Sequence, residues 1–358
     1  MLVEDFKLEN WIAKYESITK YDLSQTCVQN LTVKELEEIC DCEIDLTNIR
    51  LGYGELYGSK ALKQAICNLY EDVTSENVTV THGGIGANEL ALKTFINKGD
   101  KVVCLTPCYQ QLYSLPRFYG AEVVLTDIEN LAVNAKNAKL ICVNNPNNPT
   151  GTTLSENEIN LLIETASKNN AYIFADEAYR GLNHSRNPYS KSFTDLYDKT
   201  IVTGSMSKAY SLAGLRLGWI TADKNFINCV NLNRQYNTIS VSAIDDAIAT
   251  FALKNHDKII RRNLEIINNN LKIADDFVKK CEFSWVTKPN TGSIGCVNYN
   301  SNLKSADFCE KLVKNTGILL IPASVFGYEN YFRIGYGMDT TYLQQALKKF
   351  IDYIIKHI

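Results

Sequence analysis

The sequence predicts an α/β protein of three layers, in which helices cover both faces of a mostly parallel β-sheet, together with a smaller α+β domain. Between about residues 78 and 223, short apolar runs alternate with helical patterns, which is typical of parallel strands that are buried on both faces. A long helical stretch at 256–282 follows. After it, strand-like runs interrupted by helices indicate the smaller domain.

The elements of the large sheet can be assigned in order along the chain. Its predicted strands are Val78–Thr81, Val102–Leu105, Val123–Leu125, Leu140–Val143, Tyr172–Ala175, Ile201–Thr203 and Leu217–Ile220. Helices are predicted at Val33–Cys40, 59–73, 87–97, 109–119 and 155–169, and the remainder of residues 1–50 has an irregular pattern. In the tail, strands are predicted at 284–289, 292–299, 317–322 and 331–336, with helices at 304–315 and from 340 to the end.

Composition excludes several classes of function. The chain is 45% hydrophobic and 22% charged with a net charge of −3, which gives no reason to expect nucleic acid or an anionic membrane as a partner. No apolar run reaches the length of a membrane span, and Met1–Asp5 lacks a signal-peptide core. Eleven scattered cysteines, among them Cys104 and Cys142 in apolar runs, predict reduced thiols in a cytoplasmic protein. Cys40 and Cys42 have no second ligand pair, so no metal site is expected.

The most informative motif is Ser-x-Ser-Lys-x5-Gly-x-Arg-x-Gly-Trp, which spans Ser205–Trp219. Lys208 lies on its polar turn, and Arg216 follows eight residues later. Lysine condenses with aldehydes, and an arginine nearby suits a bound phosphate. We expect burial or neighbouring cations to lower the pKa of Lys208 and make its amine nucleophilic.

Two polar stretches follow predicted strands of the sheet. Asn144–Gly151 comes after one strand, and Asp176 with Tyr179 comes after the next. Since ligands bind at the carboxyl ends of parallel strands, both stretches are candidates for one site. Each also has a purely structural interpretation, as a turn for the first and a helix N-cap for the second. The aspartate suits a ring cation better than a metal, because no histidine cluster accompanies it.

Three further features suit the same site. The glycine-rich turn Thr81–Gly86 leads into a helix and exposes backbone N–H groups to a phosphate. Tyr109 follows a strand and can stack on a flat cofactor. Arg333, in a strand-like run, can bind a carboxylate bidentately. Taken singly, these residues fit equally well a simple turn, a packed tyrosine and a structural salt bridge.

Together, the order and spacing of these parts resemble the fold-type I pyridoxal-phosphate enzymes, specifically the class I/II aminotransferase family, over about residues 53–337. The most specific matches are Asn148–Gly151, Asp176-x-x-Tyr179 and Ser205–Trp219. The resemblance implies pyridoxal 5'-phosphate as cofactor and an L-amino acid as substrate. It also divides the chain into an N-terminal segment, 1–50, that covers the active site as part of the small domain, a large cofactor-binding domain, 51–255, and a connecting helix with the small domain, 256–358.

The resemblance also assigns catalytic roles. It implies that Lys208 forms the internal aldimine and then moves protons on the way through an external aldimine and quinonoid. Asp176 pairs with the pyridine nitrogen and keeps it protonated, so that the ring accepts electrons. Asn148 and Tyr179 would form hydrogen bonds with the phenolic oxygen of the cofactor ring, and Tyr109 would stack on the ring itself.

The remaining roles concern the phosphate, the substrate and the partner subunit. Ser205, Arg216 and the backbone near Gly84 and Ile85 would hold the phosphate. Relatives often carry hydroxyl residues in the loop at Gly83–Ile85, so in this chain phosphate binding by that loop would depend on its backbone N–H groups. Arg333 binds the α-carboxylate of the substrate. Tyr53 matches the tyrosine that reaches the phosphate of the other subunit in this family, so the resemblance implies a homodimer with shared active sites.

The N-terminal segment resembles a subgroup that includes capreomycidine synthase, whose members act on arginine-derived amino acids. The resemblance rests on Phe6–Trp11, Thr26–Val28 and Tyr109–Leu112. Glu9 is the candidate for binding a guanidinium, against the interpretation that it is a solvated helix residue. Thr26 is a second candidate substrate contact.

Three functions stay open at this point. The first is an aminotransferase; the second is a lyase-type cyclase that eliminates a hydroxyl from a hydroxylated arginine and adds the guanidine nitrogen back. Both need the same core residues. The third is a non-catalytic sensor module, which is disfavoured because Lys208 and Asp176 are both present and no basic helix-turn-helix pattern precedes the match.

Overall fold

The computed structural model describes residues 3–357, and this range contains twelve α-helices and thirteen β-strands. The helices are α1 (Lys7–Tyr15), α2 (Val33–Cys40), α3 (Lys60–Cys67), α4 (Gly83–Phe95), α5 (Gln111–Phe118), α6 (Leu131–Asn134), α7 (Glu156–Lys168), α8 (Lys224–Arg234), α9 (Ala243–Lys254), α10 (His256–Lys280), α11 (Ser305–Thr316) and α12 (Thr340–His357). The strands are β1 (Tyr21–Asp22), β2 (Val78–His82), β3 (Lys101–Leu105), β4 (Glu122–Thr126), β5 (Leu140–Asn144), β6 (Tyr172–Asp176), β7 (Thr200–Ser205), β8 (Leu217–Ala222), β9 (Ser284–Trp285), β10 (Ile294–Asn298), β11 (Ile318–Leu319), β12 (Ile321–Pro322) and β13 (Tyr331–Gly335).

The central sheet has seven strands in the order β2-β8-β7-β6-β5-β3-β4. The strands from β7 to β4 pair in parallel, and β8 runs antiparallel to both of its neighbours. The parallel strands β5, β6 and β7 therefore end at the same edge of the sheet. The predicted mostly parallel α/β fold is confirmed.

Alternate residues of each strand bury opposite faces of this sheet. Val102 and Cys104 of β3 belong to a core that includes residues of α4, α5 and α8. Val103 and Leu105 belong to a second core that includes residues of α6 and α7. Since side chains alternate across a strand, apolar residues at every position require helices on both faces. This is why the strands read as continuous apolar runs.

Two helices that flank the sheet start by different means. α7 begins with a capping box, in which Ser155 and Glu158 each bond the other's backbone N–H. α4 begins directly after β2 and has no side-chain cap. Its first N–H groups therefore remain available to a ligand.

The C-terminal region contains a second, antiparallel sheet in the order β12-β13-β10-β9. A separate two-stranded parallel sheet joins β1 to β11, with Tyr21 opposite Ile318. The N-terminal segment thus pairs with the C-terminal region, although the two strands lie near opposite ends of the sequence. The domain boundaries at 50 and 255 remain a prediction.

The structure corrects the sequence predictions at four places. Residues 7–15 form α1, although they were expected to be irregular; no side chain caps this helix, and its buried residues are only Leu8 and Tyr15. The expected strand 317–322 is divided into β11 and β12, which pair with different sheets on either side of Leu320. The strand predicted at 284–289 is only Ser284–Trp285, and the helices α6, α8 and α9 were not predicted.

None of the helices within residues 3–357 combines the length and apolar character needed to cross a bilayer. In the same range, no three His, Cys, Asp or Glu side chains are grouped in a way that could hold a metal ion.

Candidate active site

A cavity of about 570 Å³ lies at the edge of the central sheet where β5, β6 and β7 end. Its size suits a cofactor together with a small substrate. Twelve of the thirteen predicted site residues line it: Glu9, Thr26, Gly84, Ile85, Tyr109, Asn148, Asp176, Tyr179, Ser205, Lys208, Arg216 and Arg333. Tyr53 is the exception, and its side chain is 82% exposed.

The amine of Lys208 lies in this cavity and is held by the N-terminal segment. Its Nζ donates to Thr26 Oγ1 at 2.7 Å and to Cys27 Sγ at 3.5 Å. Burial lowers the pKa of the amine, but the phenol of Tyr179 and the thiol of Cys27 raise it by more, so that the net direction is upward. The expectation of a lowered pKa is therefore wrong for this arrangement, because the groups that surround the amine are acceptors and acids; Arg333 lowers it only as a lesser cause.

Asp176, the last residue of β6, is buried at the floor of the cavity. Its carboxylate accepts from Asn88 Nδ2 at 2.9 Å and from the Ala178 N–H at 3.1 Å. Burial raises the pKa of this carboxyl, and the bonds from Asn88 and Ala178 oppose the shift. A carboxylate in such surroundings favours a cation beside it, because the opposite charge offsets the loss of hydration.

The N-terminus of α4, Ser205 and Arg216 meet at the other end of the cavity. A Cβ at Gly218 would lie 2.5 Å from the carbonyl carbon of Gly83, so a glycine is needed for β8 to pass this close to the helix. A Cβ at Gly83 would lie 2.8 Å from Arg216 Nη2. The helix N–H groups, one hydroxyl and one guanidinium thus converge, which is a suitable arrangement for an anion.

Arg333, at the centre of β13, is 1% exposed. Its Nη1 donates to Asn148 Oδ1 at 2.8 Å, and its Nη2 donates to the Ser24 carbonyl at 2.6 Å. Nε has no partner, and within residues 3–357 no carboxylate forms an ion pair with this guanidinium. Burial lowers the pKa of Arg333. The structural salt bridge is thereby excluded for the described residues, and an anionic ligand is the fitting partner.

The aromatic side chains of the site are held from outside the cavity. The Tyr109 ring packs edge-on against Phe6, with 5.2 Å between centroids. Burial, and secondarily the Glu9 carboxylate, raise the pKa of Tyr109. Tyr179 is 4% exposed and follows Asp176 on the turn after β6. The phenol of Tyr109 therefore remains neutral at physiological pH.

Asn88 and Cys27 are among the residues of the site that sequence reasoning missed. Asn88, on α4, bonds Asp176, and it is itself held by Thr203 Oγ1 at 2.6 Å and by Gln111 Oε1 at 3.1 Å. An asparagine within the apolar face of a helix is a signal that could have identified it, since buried amides need partners. Cys27 gives no such signal, because one cysteine among eleven has no distinguishing pattern.

The residues present fit the expected pyridoxal phosphate. The unpaired Nε of buried Arg333 is complementary to a carboxylate. The buried Asp176 carboxylate is complementary to a ring cation. The converging donors at the N-terminus of α4 are complementary to a phosphate. Lys208 lies in the same cavity. The donor set is therefore that of a cofactor with one cationic ring nitrogen and one phosphate.

The chain is similar to known proteins over almost its whole length. Capreomycidine synthase from Streptomyces vinaceus is 26% identical over 355 residues, which cover 95% of this chain and 91% of that protein. The crystal structure of a PLP-dependent aminotransferase from Streptococcus suis 89-1591 is 33% identical and superposes with a TM-score of 0.95, covering 100% of this chain and 99% of the other. The PLP-dependent cyclase OrfR in complex with Au is 23% identical with a TM-score of 0.92, covering 100% and 99%, and shares the fold. The sequence model of aminotransferase class I and II matches residues 17–350. The chain therefore belongs to the aminotransferase class I and II family and is a pyridoxal-phosphate-dependent enzyme.

Proposed function

We propose that the protein is an aminotransferase that acts on an L-amino acid, with Lys208 as the group that moves protons and Arg333 as the anchor of the α-carboxylate. The observation that carries this proposal is the buried guanidinium of Arg333, whose Nε has no partner, in the same cavity as the Lys208 amine. An anchored carboxylate fixes the α-carbon, and an amine nearby can remove its proton as general base and return it as general acid.

Pyridoxal phosphate, when bound, supplies the electron-accepting ring that makes the α-proton acidic. Asp176 would hold the ring nitrogen in its charged form, and Asn148 and Tyr179 would bond the phenolic oxygen. Ser205, Arg216 and the N–H groups near Gly84 and Ile85 would hold the phosphate, and Tyr109 would cover the ring. Burial strengthens these interactions, because the low local dielectric reduces competition from water.

A product assay tests the reaction type. The purified holoenzyme is incubated with a panel of L-amino acids and 2-oxoglutarate, and both products are identified by mass spectrometry. We expect a 2-oxo acid in equal amount to the newly formed glutamate. Lys208→Ala should slow this exchange by at least about 100-fold, since general acid–base catalysis typically contributes 10²–10⁴. Turnover that yields no 2-oxo acid from any amino acid would refute the aminotransferase.

A second candidate, a cyclase acting on a hydroxylated arginine, is favoured by Glu9. The carboxylate of Glu9 lines the cavity and acts electrostatically on Arg333 and Tyr109. A substrate whose carboxylate is bound by Arg333 could therefore direct a cationic side chain towards Glu9. The similarity to capreomycidine synthase along 95% of the chain supports the same candidate. Such a reaction loses one water and forms one C–N bond from the guanidine nitrogen, with no net redox change.

Hydroxyarginine distinguishes the two candidates. A cyclic amino acid formed without any 2-oxo acid would establish the cyclase, whereas a 2-oxo acid formed together with an equal amount of glutamate would establish transamination. Glu9→Gln should raise KM for this substrate about tenfold, equivalent to 1.36 kcal/mol, and leave KM for an uncharged amino acid unchanged. Glu16→Gln, an exposed change just beyond α1, is the matched control.

We further propose a homodimer in which Tyr53 reaches the phosphate of the other subunit. Two neighbouring segments, the loop before α3 and the end of α8 with the loop that follows it, expose large apolar side chains: Leu51 at 84%, Tyr53 at 82%, Leu232 at 63%, Tyr236 at 92% and Ile239 at 51%. Arg234, the last residue of α8, joins the two segments by donating to the carbonyls of Leu56 and Ile239. Monomers rarely expose large contiguous apolar patches, which supports burial of these segments against a second copy.

We also propose a cytoplasmic location. All eleven cysteines are unpaired, which supports it.

A further inference from the structure

The N-terminal segment supplies the acceptors around the amine of Lys208. The hydroxyl of Thr26 lies 2.7 Å from Nζ, and the thiol of Cys27 lies 3.5 Å from it. An ammonium has three donors and no acceptor, so it needs such partners when it is buried. The oxygen is the stronger acceptor of the two, and its distance is that of a good charge-assisted hydrogen bond.

The same segment is fixed to the C-terminal sheet by backbone contacts. The N–H of Gly335 donates to the Leu23 carbonyl at 2.7 Å, and the N–H of Gln29 donates to the Gly337 carbonyl at 2.7 Å. Ser293 Oγ donates to the carbonyl of Thr26 at 3.0 Å. Thr26 is therefore held by three separate contacts, on either side of it and at its own backbone.

Two glycines allow this close approach. A Cβ at Gly335 would lie 2.0 Å from the Gln25 carbonyl oxygen, and a Cβ at Gly337 would lie 2.5 Å from the Cys27 carbonyl oxygen. The segment also accepts a bond from Arg333 at the Ser24 carbonyl. One short stretch of chain thus contacts both the proposed carboxylate anchor and the proposed proton carrier.

We propose that Thr26 is a positioning residue, whose hydroxyl holds the free amine of Lys208 in register with a substrate bound at Arg333. This role rests on the proposed proton transfer by Lys208. It differs from the substrate contact expected from the sequence, because the hydroxyl of Thr26 is directed at the lysine. Cys27 is the weaker second partner of the amine.

The charged and titratable groups that face the amine are Tyr179, Cys27, Arg333 and Asp176. Tyr179 and Cys27 raise its pKa and Arg333 lowers it. Loss of the Thr26 hydroxyl removes an acceptor that stabilises the ammonium. In Thr26→Val the pKa of the free amine should therefore fall, by about one unit, equivalent to 1.36 kcal/mol. Thr26→Ser should restore it.

The test uses the protein in complex with phosphopyridoxyl-L-alanine, a stable reduced adduct that leaves Lys208 as a free amine. The rate of acetylation of Lys208 by acetic anhydride is measured by mass spectrometry across pH for the wild type, Thr26→Val, Thr26→Ser and the control Thr19→Val. Thr19 belongs to the same segment, bonds only the Tyr15 carbonyl through its hydroxyl, and does not line the cavity. We expect a lower apparent pKa in Thr26→Val alone.

Kinetics with a substrate deuterated at the α-carbon supply the second measurement. In Thr26→Val we expect kcat to fall about tenfold with little change in KM and a larger isotope effect, while Thr26→Ser stays within about threefold of the wild type. An unchanged acetylation profile in Thr26→Val would overturn the proposal, and so would a kcat of Thr26→Ser no higher than that of Thr26→Val. If the valine variant does not fold, Thr26→Ala takes its place. The acetylation profile does not depend on the reaction type. The product assay tests the proposed aminotransferase, so its failure can be distinguished from a failure of the role proposed for Thr26.

Discussion

Replacing Asp176 with asparagine removes the negative charge expected to pair with the ring nitrogen of the cofactor and changes the size of the side chain little. The carboxylate is 7% exposed and is held by Asn88 and Ala178. Breaking a buried charge pair typically costs about 3–5 kcal/mol. At 1.36 kcal/mol per tenfold change, this corresponds to a loss of roughly two to four powers of ten in kcat/KM. Cofactor affinity should fall as well, since the ring cation loses its partner.

The assay is single-turnover absorbance of the holoenzyme with a reactive amino acid, together with cofactor titration. Asp198→Asn, the same chemical change at an exposed position, is the control and should behave as the wild type. Asn88→Ala tests the support of the carboxylate and should have a smaller effect in the same direction, since Ala178 still donates to Asp176. A fall of less than tenfold in Asp176→Asn would refute the assigned pairing with the ring nitrogen.

Three other predictions follow from the structure. Arg333→Leu should raise KM at least about 100-fold with a smaller effect on kcat, because a bidentate charge-assisted pair of about 3 kcal/mol is lost; an unchanged KM in steady-state assays would contradict the anchor. Burial raises the pKa of the Glu177 carboxyl from 4.5 to about 7. Between these two pH values the folded state keeps a proton that the unfolded chain releases. The free energy of unfolding should therefore fall by up to roughly 3 kcal/mol as the pH rises from 4.5 to 7, and then level off. Urea titrations of the wild type and Glu177→Gln across this range should show a flatter dependence in the variant, and equal slopes would contradict the assignment. Mixing refolded Tyr53→Phe subunits with Lys208→Ala subunits should give more activity than either alone, because a hybrid dimer has one site with both residues; no gain on mixing would argue against a shared site.

The candidate site was largely predictable because its residues lie at the ends of strands. Asp176 and Ser205 terminate two parallel neighbours, β6 and β7, and Asn148 follows a third, β5, so their approach follows from the direction of the strands alone. The strands themselves are recognisable because burial on both faces requires apolar residues at each position. Arg333 was likewise identifiable, since a guanidinium on a buried strand requires an anionic partner.

Other contacts could not be predicted, because they join residues far apart in the sequence. Thr26 and Lys208 are 182 positions apart, and they meet only because the N-terminal segment packs against the C-terminal sheet. The upward pKa of Lys208 depends on the same packing, which places Tyr179 and Cys27 beside the amine. The division of 317–322 into β11 and β12 is also a consequence of which partner strand each half finds.

The sequence by itself determined the type of chemistry: the order of Asn148, Asp176, Lys208 and Arg216 along an alternating α/β pattern specified the family and its cofactor. Local spacing suffices for this, because strand direction and helix starts are set within short stretches of chain. Only the tertiary structure decided what surrounds the lysine amine and the buried guanidinium. Part of those surroundings comes from the N-terminal segment, whose position is set by burial and by pairing with strands some 300 residues away, and the proposed roles of Thr26 and Glu9 depend on that packing.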